Sequence, residues 1–346
     1  MTLFRVSARR DFRMPHLQRR RRAALPLLGL GLIVAVLLSL AFGGREISVH
    51  DFIDAVIAPG TAEQAAVVWG LRMPRTVVGI LAGAGFAVAG ALIQAVSRNA
   101  LAEPGIVGVS AGAGFAVTLA AAVWGVAAPS AVVGAAFAGA LLTTAAVLAI
   151  GRTGRPGGSA RMLLAGVAIA AILGGLSTGI SLRDTAAFTA VRNWALGSIV
   201  ATGFDEARVM GLVIVVGVVL AFACAPGLNA LALGDELATA LGTRAAAVRA
   251  MGVVAIALTA GGATALTGGI VFLGLMVPHA MRWIVGPDQR WILATSLVAG
   301  PVLVLVADVI GRLIAAPGEI PVGVVVAVIG APVLIAMVRR REVSGL

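Results

Sequence analysis

Ten apolar runs dominate this chain, at 24–42, 74–97, 105–126, 129–150, 161–181, 206–224, 245–267, 270–286, 291–314 and 321–338, separated by polar or Pro/Gly-containing breaks. A helix needs about 20 apolar residues to cross the hydrocarbon layer, and a barrel strand about half as many. Inside that layer backbone groups find no water, so spanning segments are helices or closed barrels. Runs near this length without strict alternation predict an all-α polytopic membrane protein with about ten transmembrane helices. The run at 270–286 is short and carries Pro278, His279 and Arg282, which predicts a partial crossing. Composition agrees. At 60% apolar and 12% charged residues, too little polar sequence remains to cover a soluble core.

A net charge of +11 raises nucleic acid as a partner, but the distribution of charge argues against it. The chain contains no lysine, and eight of its 26 arginines fall in the first 22 residues. A basic segment (1–23) immediately before an apolar run is an anchor on anionic lipid. The run at 24–42 ends near Ser39-Leu40-Ala41, which resembles a cleavage site. It is longer than a signal-peptide core of about 7–15 residues and reads as the first span. With ten spans and a cytoplasmic N-terminus, nineteen arginines lie inside and seven outside, as the positive-inside rule expects. The inner set includes Arg98, Arg152, Arg155, Arg161, Arg244, Arg249, Arg282, Arg290 and Arg339 to Arg341. Glu46, Asp51, Asp54, Glu63, Asp184, Asp205, Glu206 and Glu319 fall outside. Residues 24–340 thus read as one transmembrane domain, and 341–346 as a cytoplasmic tail.

Chemistry-bearing motifs are few. Gly108-Val109-Ser110-Ala111-Gly112 matches a nucleophile elbow, but it opens a membrane helix instead of following a strand, and the only histidines are His16, His50 and His279. Close packing at a helix start is the better reading. Cys224 lies alone in an apolar run, and His279 lacks companion ligands, so neither makes a metal site. His279 is expected to cap or bond a neighbouring helix, with substrate contact the lesser alternative. Asp308 is the one carboxylate deep in a run, with Arg312 one turn later to pair with it. A proton-coupled carrier strings several such groups together, so an ion-coupled secondary transporter is the weaker alternative. Glycines at 79, 83, 85 and 90, and at 174, 175 and 179, predict close helix contacts.

Without lysine there is no P-loop here. ATP-driven transport would therefore use a separate ATPase, and this chain would have to offer it a docking surface. The loop at about 226–244 is the candidate, with an amphipathic helix expected at 228–242. Leu233, Leu237 and Leu241 share one face, Gly234 precedes an acidic first turn at Asp235 and Glu236, and Gly242 supplies a stop. Such an apolar stripe calls for a partner, either the underside of the bundle or another protein.

Several segments then carry a resemblance. Arg72-Met73-Pro74-Arg75, the glycine-rich 83–94, and Arg98-Asn99-Ala100-Leu101-Ala102-Glu103-Pro104 running on to Gly112 resemble the FecCD-type permeases. So do Arg161–Val167, Trp194–Ser198, Leu231–Asp235, Phe272–His279, Glu319–Gly323 and Gly330–Pro332, in order across residues 70 to 340. Ala100 departs from the pattern, standing where the family typically has proline. The resemblance implies a type II ABC importer permease for iron–siderophore, haem or vitamin B12, in the cytoplasmic membrane with both termini inside. It implies a second permease copy or paralogue, two cytoplasmic ATPases and an extracytoplasmic binding protein, with no cofactor on this chain. By the same resemblance Arg72, Arg75 and Arg312 would dock the binding protein, and Leu101 and Ser159 would form the cytoplasmic gate. Leu233, Gly234, Asp235, Glu236, Leu237, Ala238, Leu241 and Gly242 would couple to the ATPase.

Overall fold

The structure is a computed structural model that describes residues 15–42, 67–151, 158–200 and 202–339. Glu46, Asp51, Asp54, Glu63, Arg152, Arg155, Arg340, Arg341 and the 342–346 tail lie outside the described residues, as do the side chains of Ser159 and Arg339. All described regular structure is helical: α1 (Pro15–Ala41), α2 (Met73–Ser97), α3 (Val109–Trp124), α4 (Pro129–Gly151), α5 (Gly158–Ser181) and α6 (Thr185–Ala195). There follow α7 (Phe204–Leu231), α8 (Asp235–Ala240), α9 (Ala245–Thr267), α10 (Leu273–Val285), α11 (Gln289–Ile314) and α12 (Val322–Arg339). A π-turn at Val68–Arg72 leads into α2, and a 3₁₀ turn at Pro104–Val107 precedes α3.

Each of the ten predicted runs coincides with a helix. Seven of these helices are long and apolar enough to span a membrane: α1, α2 with its entry turn, α4, α5, α7, α9 and α11. The apolar helices α3 and α12 are shorter. The chain adds α6, which the runs did not predict, with Asp184 accepting a 2.7 Å bond from the Ala187 N–H as its N-cap. Two boundaries also differ from expectation. The basic leader is helical from Pro15, and α7 runs through Pro226 to Leu231 instead of ending near 224. Packing outweighs the proline there, because Cys224, Ala225, Leu228 and Leu231 are buried. The helix expected at 228–242 is consequently only α8, framed by left-handed Gly234 and Gly242.

α2 and α9 form the centre of the bundle, with 83% and 78% of their apolar windows buried, against 11% for peripheral α5. Their neighbours approach through glycine. A Cβ on Gly83 would lie 2.5 Å from the Pro301 nitrogen of α11, and one on Gly90 would lie 1.8 Å from the Gly274 carbonyl of α10. Gly112 and Gly139 join α3 to α4 in the same way, which supports the packing reading of the Ser110 motif. A Cβ on Gly174, Gly175 or Gly179 of α5 would meet nothing within 4 Å, so the contacts expected of them are not made among the described residues.

α10 is the irregular member. Its 13 residues rise only about 20 Å, too little for a crossing of about 30 Å. It starts against Gly90, well inside α2, so non-helical residues 268–272 lie within the bundle. Such backbone is tolerated at membrane depth only where protein satisfies it. Here the Gly269 N–H reaches the Trp194 carbonyl, and the Ser198 N–H the Thr267 carbonyl. The Phe272 N–H donates to the Glu103 carboxylate at 2.6 Å.

Candidate functional site

The two ends of the bundle carry different charged clusters. At the end where α1 and α11 finish and α2 begins, α1 leaves its last carbonyls without intrahelical donors. Two guanidiniums from elsewhere fill the gap. Arg72 donates to the Leu40 and Ala41 carbonyls at 2.6 and 2.8 Å. Arg312 donates to the Ser39 carbonyl at 3.1 Å and also to that of Phe42. Cations at a helix C-terminus also complement its dipole. Ser39 and Thr76 share a 2.9 Å hydroxyl bond beside them.

Asp308 lies at the centre of this cluster. Arg312 reaches it at 2.8 Å, the i,i+4 pair expected from sequence. Arg75 meets it as a fork, Nη2 at 2.7 Å and Nε at 3.1 Å, while Arg75 Nη1 holds Glu319 at 2.8 Å. The structure thus brings Arg72, Arg75 and Arg312 together, but not as an open surface. Arg72 and Arg312 are 5% and 4% exposed, and the Arg75 side chain keeps 11%.

The opposite, arginine-rich end holds α8. Ala238 is buried and fixes α8 to the bundle, while Leu233, Leu237 and Leu241 stand 60%, 58% and 67% exposed. The stripe faces away from the chain, so the bundle's own underside does not cover it. Gly234, with φ 109°, turns the chain into α8, and Asp235 and Glu236 occupy its exposed first turn. The Asp235 carboxylate accepts from Arg249 of α9 at 2.6 and 2.9 Å, and from Arg98 at the C-terminus of α2. Those bonds, that of Arg249 foremost, hold Asp235 below the usual carboxylate range.

Arg98 begins the 98–104 loop, in which Leu101 is half-buried. The Asn99 side chain accepts the Leu101 N–H at 2.9 Å, and its carbonyl accepts that of Ala102 at 3.1 Å. These turn bonds use the N–H groups of residues 101 and 102, so alanine at 100 serves where proline would also fit. Glu103 closes the loop before Pro104, in a segment that the sequence marked only by its resemblance. Burial raises its pKa, opposed by the bond from the Phe272 N–H. Nothing local marks this residue; its partner lies 169 positions away, at a helix break that hydropathy does not resolve. Ser159 is the second residue of α5.

Further along the same end, Arg21 of α1 donates to the Val285 carbonyl of α10 at 2.8 Å. Asn229 of α7 bonds Asp288 and the Gln289 N–H, both at 2.9 Å, at the start of α11. His279 is buried edge-on to Trp283, its ring centroid 4.7 Å away on the same helix, and its Nδ1 has no hydrogen-bond partner among the described residues.

The FecCD transport family model matches residues 31–340. The chain is 43% identical over 329 residues to the ferric enterobactin transport system permease protein FepD of Escherichia coli strain K12, covering 94% of this chain and 97% of that one. It is 36% identical over 322 residues to the iron(3+)-hydroxamate import system permease protein FhuB of Bacillus subtilis strain 168, covering 92% and 83%. A solved chain described as an inward-facing conformation of a metal-chelate-type ABC transporter superposes with a TM-score of 0.79 at 25% identity, over 92% of this chain and 99% of that one.

Proposed function

The chain belongs to the FecCD transport family, and from that premise we propose that it is the transmembrane permease subunit of an ABC importer carrying an iron(III)–siderophore complex across the cytoplasmic membrane. ATP is hydrolysed by a separate subunit, because this sequence holds no P-loop lysine. The arginine-rich end faces the cytoplasm, with both termini on that side. The chain forms the pathway and performs no covalent chemistry.

The observation that carries this reading is the exposed stripe of Leu233, Leu237 and Leu241 on a short, bundle-anchored helix at the basic end. It fits a cytoplasmic ATPase subunit, two of which serve a pair of permeases. Each ATPase cycle moves α8 and alternates the pathway between outward and inward openings, with Leu101 and Ser159 at the cytoplasmic gate. The open face of α5, with Gly174, Gly175 and Gly179 uncovered, offers a surface to the second permease, copy or paralogue. An extracytoplasmic binding protein docks at the other end, around Arg72, Arg75 and Arg312. Ferric siderophore is preferred as cargo because the relatives described above carry ferric enterobactin and iron hydroxamate.

The test combines Leu233→Asp with Leu237→Asp in the full importer. The ATPase should no longer co-purify and ferric-siderophore uptake should stop, with the permease still folded in membranes. Retention of the ATPase by this variant overturns the docking assignment. Uptake of haem or cobalamin in place of ferric siderophore by the unmodified importer overturns the cargo.

A further inference from the structure

We infer that Arg98 and Asp235 form a mechanical tie that delivers movement of α8 to the 98–104 loop and, through Glu103, to the buried start of α10. This rests on the reading of α8 as the ATPase-docking helix and adds the route by which its movement reaches the gate.

Three observations converge. Asp235, the first residue of α8, spends its carboxylate on guanidiniums from two other helices, Arg98 after α2 and Arg249 of α9. Second, Arg98 sits at φ 53°, ψ 36°, the left-handed position at a helix C-terminus where glycine is the usual occupant. A non-glycine residue in that region is strained, and such outliers persist where surrounding structure holds them. Here the side chain that glycine would lack is the one that grips Asp235. Third, the loop is fastened at its other end by Glu103 on the Phe272 N–H, while Gln94 of α2 donates to the Leu275 carbonyl at 3.2 Å. Between these anchors lie only Asn99, Ala100, Leu101 and Ala102, braced by their own turn. A braced segment this short transmits a displacement instead of absorbing it, and Leu101 lies within it.

Exposed ion pairs contribute little to stability. The Asp235 pairs are open to solvent, with Arg98 and Asp235 side chains 37% and 51% exposed, so removing them should spare the fold. Arg98 lies outside the leucine stripe, which makes it the variant to begin with.

The experiment reconstitutes the importer with its ATPase and binding protein in lipid vesicles and counts chelate moved per ATP hydrolysed. Arg98→Gln should keep the ATPase bound and hydrolysing, yet lower chelate per ATP roughly tenfold, within the usual range of a coupling between sites. Asp235→Asn, which also releases Arg249, should lower it at least as far, and adding Arg98→Gln to it should lower it no further, since the Arg98 tie is already cut. Arg98→Lys should restore most of the ratio, because Arg98 reaches Asp235 through a single nitrogen. Wild-type chelate per ATP in Arg98→Gln overturns the tie. So do losses that multiply in the double variant, or failure of lysine to rescue, which would make the residue a mere helix cap. Loss of the ATPase from Arg98→Gln also overturns it, by making Arg98 part of the docking surface. The reading of α8 fails separately, through the leucine variants.

Discussion

Asp308 shows how much one carboxylate can organise. It lies 1% exposed between Arg75 and Arg312, and the second of these also closes the end of α1. Removing Asp308 leaves Arg75 with Glu319 alone and Arg312 with uncharged partners alone, and breaking a buried pair costs about 3–5 kcal/mol. Asp308→Ala should therefore lower the thermal unfolding midpoint in detergent by that equivalent. Adding Arg75→Met should recover part of it, since Met removes a charge that Asp308 balanced. A midpoint unchanged by Asp308→Ala would show that the network carries no stability. The Asp308–Arg312 pair was legible beforehand, because i and i+4 share a helix face whatever the fold. The fork from Arg75, 233 positions away, was not, and neither were the α1 carbonyls that occupy Arg72 and Arg312. The Arg72-Met73-Pro74-Arg75 pattern marked Arg72 and Arg75 as noteworthy without saying that they face inward.

At the scale of helices, what hydropathy reported was the existence of the spans, and what it missed was their fine boundaries and contacts. Pro226 read as a stop because a local rule cannot see that Leu228 and Leu231, within the next turn and a half, are buried. α6 is polar enough to resemble a loop, although Asp184 ahead of it is an N-cap signal. The glycines of α2 and α5 look alike in sequence and differ in surroundings. Gly90→Ala would drive a methyl group into the Gly274 carbonyl and push α2 from α10, costing upwards of about 3 kcal/mol. Gly174→Ala meets open space in the single chain and should be neutral or stabilising by about 0.5–1 kcal/mol. Unfolding of the isolated permease in detergent measures both, and equal effects would contradict this packing.

For the whole molecule, the Arg75 cluster bears on the binding-protein docking proposed above. Glu319 already occupies Arg75, so an incoming carboxylate must compete with it. Glu319→Gln should thus strengthen binding-protein association and Arg75→Gln weaken it, both effects shrinking as salt rises. Association indifferent to both changes would move docking elsewhere on this face. The same cluster bears on the order in which the protein is made. α1 and α2 leave the ribosome early, and Arg72 can reach Leu40 and Ala41 as soon as those two helices meet. The Ser39 carbonyl waits for Arg312, and Arg75 has no Asp308 until α11 is inserted, after most of the chain has been synthesised. A nascent permease truncated before α11 therefore carries Arg75 with neither of its carboxylate partners. Closing the ring on Asp308 therefore awaits α11, so the cluster is completed only when the chain itself is nearly complete.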